Sequence, residues 1–200
     1  MVNLMQDKAW PRQAGSPGDA QPSRLDDPDR PGQLVGMTVA ELGGDAGLLE
    51  AVLTLAEAQA AAGRAPFAAL IARDGKVAGA GVNTVEEDLD PSAHAEVRAI
   101  RDAARRARDV RLTGAVLYAS CEPGALCRTV AHAAGIRKVV FAAPKELIPS
   151  DMGSVPDDTV RLIQAVDSVL PGQTRRGATP MTDARLARPF TMFVANGGGR

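Results

Sequence analysis

Apolar residues recur along this chain with two different periods, and the switches between them mark out its elements. From Asp45 to Ala62, Leu48, Val52 and Leu55 fall on one stripe at helical spacing, and Gly63 supplies a stop. "FAALIA" at 67–72 and "VAGAGVN" at 77–83 are short apolar runs on either side of "RDGK", the pattern of a β-hairpin with a glycine-containing turn. An acidic loop, "TVEEDLDP", leads into "SAHAEVRAIRDAARRAR" at 92–108, which predicts a helix with Ser92 as its N-cap. "AVLYAS" at 115–120 predicts a strand, and the helix after it runs through Ala134 to a stop at Gly135. "KVVFAA" at 138–143 predicts another strand, 157–170 a late helix, and "FTMFVA" at 190–195 a last strand. Ahead of all these, Thr38 and Glu41 have the spacing of a capping box.

Strands that alternate with helices need crossover connections, so part of the sheet must be parallel with helices on its faces. The expected fold class is therefore α/β, a three-layer α/β/α domain over 38–196 around a mixed sheet of about five strands. Residues 1–36 hold Pro11, Pro17, Pro22, Pro28 and Pro31 among Gly, Asp, Arg and Gln. That composition cannot bury enough apolar surface to offset chain entropy, so a disordered lead-in is expected there. No internal repeat is visible at solenoid spacing.

Composition narrows the function. The 200 residues carry a formal net charge of −1, against the basic excess of a phosphate-binding domain. The stretch "RDAARRARDVR" is basic, but Asp102 and Asp109 interrupt it, and a solvated helix face explains it. No run of eighteen apolar residues suggests a membrane span, and the N-terminus lacks the apolar region of a secretory signal. Two cysteines do not make a disulfide framework, which points to a reduced, cytoplasmic protein. The expected partners are a small-molecule substrate and a second copy of the chain in a homodimer, with no membrane and no nucleic acid.

The chemistry lies in "HAE" and in "SCEPGALC" at 120–127. His94 and Glu96 fall in the first turn of one predicted helix, and Cys121 and Cys127 around the start of the next. Helix N-termini favour anions and so favour thiolates. A catalytic zinc takes three protein ligands and leaves a position for water, and a nearby carboxylate can move that water's protons. Taken singly, a His-x-Glu pair is an ordinary solvated face, and either cysteine is an ordinary small core residue. His132, later on the same helix as Cys127, reads as a surface or core residue.

The strings "APFAALIARDGKVAGAGVN", "DPSAHAEVRAIR" and "LYASCEPGALC" together resemble the zinc-dependent cytidine/deoxycytidylate deaminase superfamily, and within it the bacterial guanine deaminases. The resemblance covers roughly 48–143 and implies a zinc-dependent hydrolytic deaminase of a nucleobase or nucleoside-like compound. Carried over by position, it makes Glu96 the catalytic proton shuttle and His94 and Cys127 zinc ligands. Asn83, Phe67 and Ala95 become substrate-binding residues. The sequence departs from the family at Gly124, where the family has its first ligating cysteine. Three outcomes stay open: Cys121 fills the vacated place, zinc is held by His94 and Cys127 with Glu96 or waters completing the shell, or the pocket is metal-free and binds a ligand without catalysis. A cysteine nucleophile is a further alternative. The stretches "PKELIPSDMG" and "ARPFTMFVANGGGR" do not match the guanine branch, so base specificity does not carry over.

Overall fold

Asp74 and Gly75 both take positive φ, 52° and 74°, as a two-residue hairpin turn twisted to match its strands requires. They join β1, Ala68–Arg73, to β2, Lys76–Val82, in antiparallel register. A computed structural model describes residues 31–152 and 157–198 and gives the remaining elements. The helix before the hairpin is α1, Gly44–Ala61; after it come a single turn, α2, Val85–Asp88, and then α3, Ala95–Ala107. Strand β3, Val116–Cys121, is followed by α4, Ala125–Ala133, and β4, Lys138–Ala143. The last elements are α5, Asp157–Val169, β5, Thr174–Arg176, and α6, Asp183–Ala195.

Among the described residues the strands form one mixed sheet in the order β2-β1-β3-β4-β5. The β2–β1 and β1–β3 pairings are antiparallel, and β3–β4 and β4–β5 are parallel. Side chains alternate across it. Leu70, Tyr118 and Val140 share a core with α1 and α6, while Ile71, Leu117 and Val139 share one with α3 and α4. The result is the expected three-layer α/β/α arrangement.

Three local expectations are corrected. The run 190–195 is helical: Leu186, Pro189 and Phe190 are the buried positions of α6, an i, i+3, i+4 stripe rather than an alternation. Thr182 caps that helix by accepting from Arg185 N at 3.2 Å, and Pro189 removes one ladder donor without breaking it. The fifth strand is instead the short, polar β5. Ser92 does not cap α3, whose N-cap is His94. The Thr38–Glu41 capping box forms, with Thr38 N donating to Glu41 Oε2 at 2.7 Å and Glu41 N to Thr38 Oγ1 at 3.1 Å, but it closes a turn ahead of α1. Of the expected lead-in, residues 1–30 lie outside the described residues. Pro31–Leu34 form a 3-10 turn, and Gly36 N donates to Val77 O at 2.9 Å.

The helix α5 packs on α4 rather than on the sheet, and Arg128 joins them. Its side chain is 3% exposed. It is paired with Asp167 and donates to Gln173 Oε1 and Leu170 O, both at 3.4 Å, while Gln173 Nε2 returns a bond to Arg128 O at 3.2 Å. No helix among the described residues is long and apolar enough to cross a membrane.

Candidate metal centre

Two helix starts meet here, and the first is fixed by a side-chain turn and by backbone contacts. Asp90 Oδ1 accepts from Ser92 N at 2.8 Å and from Ser92 Oγ at 2.6 Å, making the turn that delivers the chain to α3. Those bonds from Ser92, with help from Arg101, hold the Asp90 carboxyl below the usual carboxylate range. Thr84 N donates to Ala93 O at 3.0 Å, tying the turn to the end of β2. The helix then lies directly on β2. A Cβ added at Gly79 would come 2.5 Å from Ala103 N, and one at Gly81 would run into Ala95 O and Ala99 N. Glycine at these two positions sets how close α3 approaches the sheet. Sequence reasoning passed over them, although two glycines at i, i+2 leave a bare stripe along one face of a strand.

The second start is α4, with Gly124 as an N-cap that has no side chain to offer. Its backbone is extended at the cap, φ −72° and ψ 176°, and Arg128 N donates to Gly124 O at 3.1 Å. Cys127 sits in this first turn and faces His94 and Glu96. Its Sγ is 3.6 Å from His94 Nδ1 and donates to Glu96 Oε2 at 3.4 Å. One donor atom from each residue lies within 4.8 Å of the others. Glu96 is 9% exposed and Cys127 1%, while His94 is half-buried and opens the group to the outside.

Burial raises the Glu96 pKa, and its own backbone N–H, the Cys127 thiol and His94 offset part of the rise. Burial also raises Cys127, and the Glu96 charge and the hydrogen bond to it add to the effect. Without a cation the pair therefore favours its neutral forms. A divalent cation between the donors would reverse that preference.

As donors, His94 and Cys127 suit zinc: imidazole nitrogen and thiolate sulfur are its commonest protein ligands. The place of the family's other ligating cysteine is Gly124, where an added Cβ would meet nothing within 4 Å. The structure does not bring Cys121 into the group. Cys121 ends β3, paired with Ala143, and Glu122 N continues the ladder to Ala143 O at 2.9 Å. That pairing leaves its sulfur outside the group formed by His94, Glu96 and Cys127. Burial, followed by the Glu96 charge, keeps its thiol well above the usual range.

The remaining candidates lie at the ends of β1 and β2 and on α3 and α4. Asn83 follows β2 directly; its N donates to Phe67 O at 3.1 Å, and its Oδ1 accepts from Val85 N at 3.2 Å. Phe67 is half-buried, with its ring centroid 5.8 Å from that of Phe190 at a 45° tilt. Ala95, buried in the first turn of α3, is the residue whose carbonyl faces Gly81. His132 is exposed at the far end of α4.

Residues 45–143 match the model of the cytidine and deoxycytidylate deaminase zinc-binding region. The chain belongs to the cytidine deaminase-like superfamily. Over 81 residues it is 40% identical to the tRNA-specific adenosine deaminase of Aquifex aeolicus, a stretch that is 40% of this chain and 54% of that protein. Over 78 residues it is 41% identical to the guanine deaminase of Bacillus subtilis, covering 39% of this chain and 50% of that one. The chain thus spans about half the length of these curated relatives. The fold is shared with a guanine deaminase from Nitrosomonas europaea, at TM-score 0.57 and 23% identity over 74% of this chain and 84% of that one.

Proposed function

We propose that the chain is a zinc-dependent hydrolytic deaminase acting on a small amino-heterocycle, a nucleobase or nucleoside-like compound. The observation that carries this reading is the meeting of His94, Glu96 and Cys127 at two adjoining helix starts. The names of the relatives support an amino-purine as the substrate class, since they act on guanine and on adenosine in tRNA. A small substrate is favoured over a nucleic acid because the charge is near balance, with 23 Lys and Arg against 24 Asp and Glu. Three of the four arginines of α3 are also engaged: Arg98 pairs with Asp88, Arg101 with Asp90 and Arg106 with Asp102.

A zinc ion held by His94 and Cys127 would supply Lewis acidity that makes bound water a nucleophile near neutral pH. Glu96 is the buried carboxylate that moves the protons. It takes one from water as the oxygen adds to the amino-bearing ring carbon, and delivers it to the ring nitrogen. It then carries a proton to the departing nitrogen; the carbon–nitrogen bond breaks, ammonia leaves and a carbonyl remains. In this reading Asn83 orients the ring by hydrogen bonding, and Phe67 and Ala95 wall the pocket.

The side-chain-free Gly124 favours a second reading, in which the pocket binds a small ligand or partner without zinc. Metal analysis of the purified full chain, together with ammonia release from guanine, adenosine and cytidine, separates the two. Bound zinc and ammonia release are expected. A chain that purifies without metal and gains no activity when zinc is added would leave the binding reading in its place.

A further inference from the structure

In zinc sites the metal lies about 2.3 Å from sulfur, about 2.0–2.1 Å from imidazole nitrogen and about 2.0–2.2 Å from carboxylate oxygen. A tetrahedron with those bonds places sulfur about 3.5–3.7 Å from its nitrogen or oxygen neighbour. The Cys127 Sγ to His94 Nδ1 distance is 3.6 Å and the Cys127 Sγ to Glu96 Oε2 distance is 3.4 Å. Both already approximate tetrahedral edges. The thiol proton now between sulfur and carboxylate occupies the line that a shared cation would bridge.

Charge points the same way. One imidazole and two thiolates bring −2 to a divalent ion, and so do one imidazole, one thiolate and one carboxylate. With no donor at Gly124, Glu96 restores that balance from within the group. Among the described residues no other group of His, Cys, Asp and Glu brings donors this close, and Cys121 is held away by its strand.

Resting on the deaminase reading, we infer that Glu96 is itself the third metal ligand of this chain, taking through one oxygen the place left by Gly124. The other oxygen stays available to a proton. The carboxylate is then tethered where the family pattern leaves it free, so turnover is slow and the resting centre is a His/Glu/Cys site.

Zinc affinity by chelator competition, and the absorption of the cobalt(II)-loaded proteins, test this in the wild type, Glu96→Gln, Gly124→Cys and the double variant. Glu96→Gln alone is expected to weaken zinc binding by at least about 10-fold and to shift the cobalt ligand-field bands. In the Gly124→Cys background the same change should alter affinity by no more than about 2-fold, the ordinary margin of additivity. Gly124→Cys should also add thiolate-to-cobalt absorption. Zinc binding by the double variant shows that the Glu96→Gln change is compatible with the fold. If the wild type holds zinc and Glu96→Gln holds it equally well, the inference is overturned and the deaminase reading stands. If the wild type takes up no zinc, both are overturned.

Discussion

The starts of α3 and α4 face each other across the candidate centre and are built on opposite plans. The first is fixed on both sides: α3 lies against Gly79 and Gly81 of β2, and its lead-in is held by the Asp90 carboxylate turn onto Ser92 and the Thr84–Ala93 backbone bond. It contributes two side chains to the candidate centre, His94 and Glu96. The second opens on a glycine with no capping side chain and contributes one, Cys127. Its firm attachment lies beyond the opening residues, where Arg128 is bonded to α5 and to the turn before β5. A ligand could therefore be lost at Gly124 without disturbing either the cap backbone or the packing.

Removing the donors breaks the comparison most completely. Either His94→Ala or Cys127→Ser leaves too few ligands, and zinc affinity is expected to fall by at least about 100-fold, read as metal content after dialysis. Gly124→Cys makes the two starts more alike. Zinc binding should tighten by about 10- to 100-fold, and ammonia release should rise as Glu96 is freed for proton transfer. A thiol with no effect on either would show that the open space at Gly124 does not face the metal.

The α3 side can be tested through its backbone contact. Gly81→Ala forces α3 off β2 and should cost about 1–3 kcal/mol in urea unfolding, with a parallel loss of zinc affinity because His94 and Glu96 move together. If stability falls while affinity is unchanged, the sheet contact does not position the centre. Gly124→Ser should do least. It gives α4 a capping hydroxyl, expected to add about 0.3 kcal/mol to stability in the same unfolding assay while leaving metal content at the wild-type level.

Much of this is legible in the sequence where the chain punctuates itself. Asp74–Gly75, Gly63 and Gly135 mark the hairpin turn and two helix ends, and the elements beside them lie within a residue or two of their expected bounds. Without such marks, periodicity misleads. The strand β5 is three polar residues with no period to detect, formed because β4 offers an edge. The helix α6 reads as a strand when only its apolar end is weighed; Thr182 upstream and the i, i+4 spacing of Leu186 and Phe190 carry the helical signal. At the centre, the spacing of His94, Glu96 and Cys127 can be read, but the distance of Cys121 cannot. Sequence separation does not reveal that Cys121 is the last rung of a strand.

Arg128 has a consequence for how the chain can diversify. It is the immediate neighbour of Cys127, yet its side chain reaches into a segment beyond residue 143, where the family match stops. The α5–β5 segment works like a fitting on a standard mount. Any replacement that presents an acid, a free carbonyl and an amide at the places of Asp167, Leu170 and Gln173 satisfies the same guanidinium. That part of the protein can be remodelled for new ligands or partners while the residue beside the thiol stays seated.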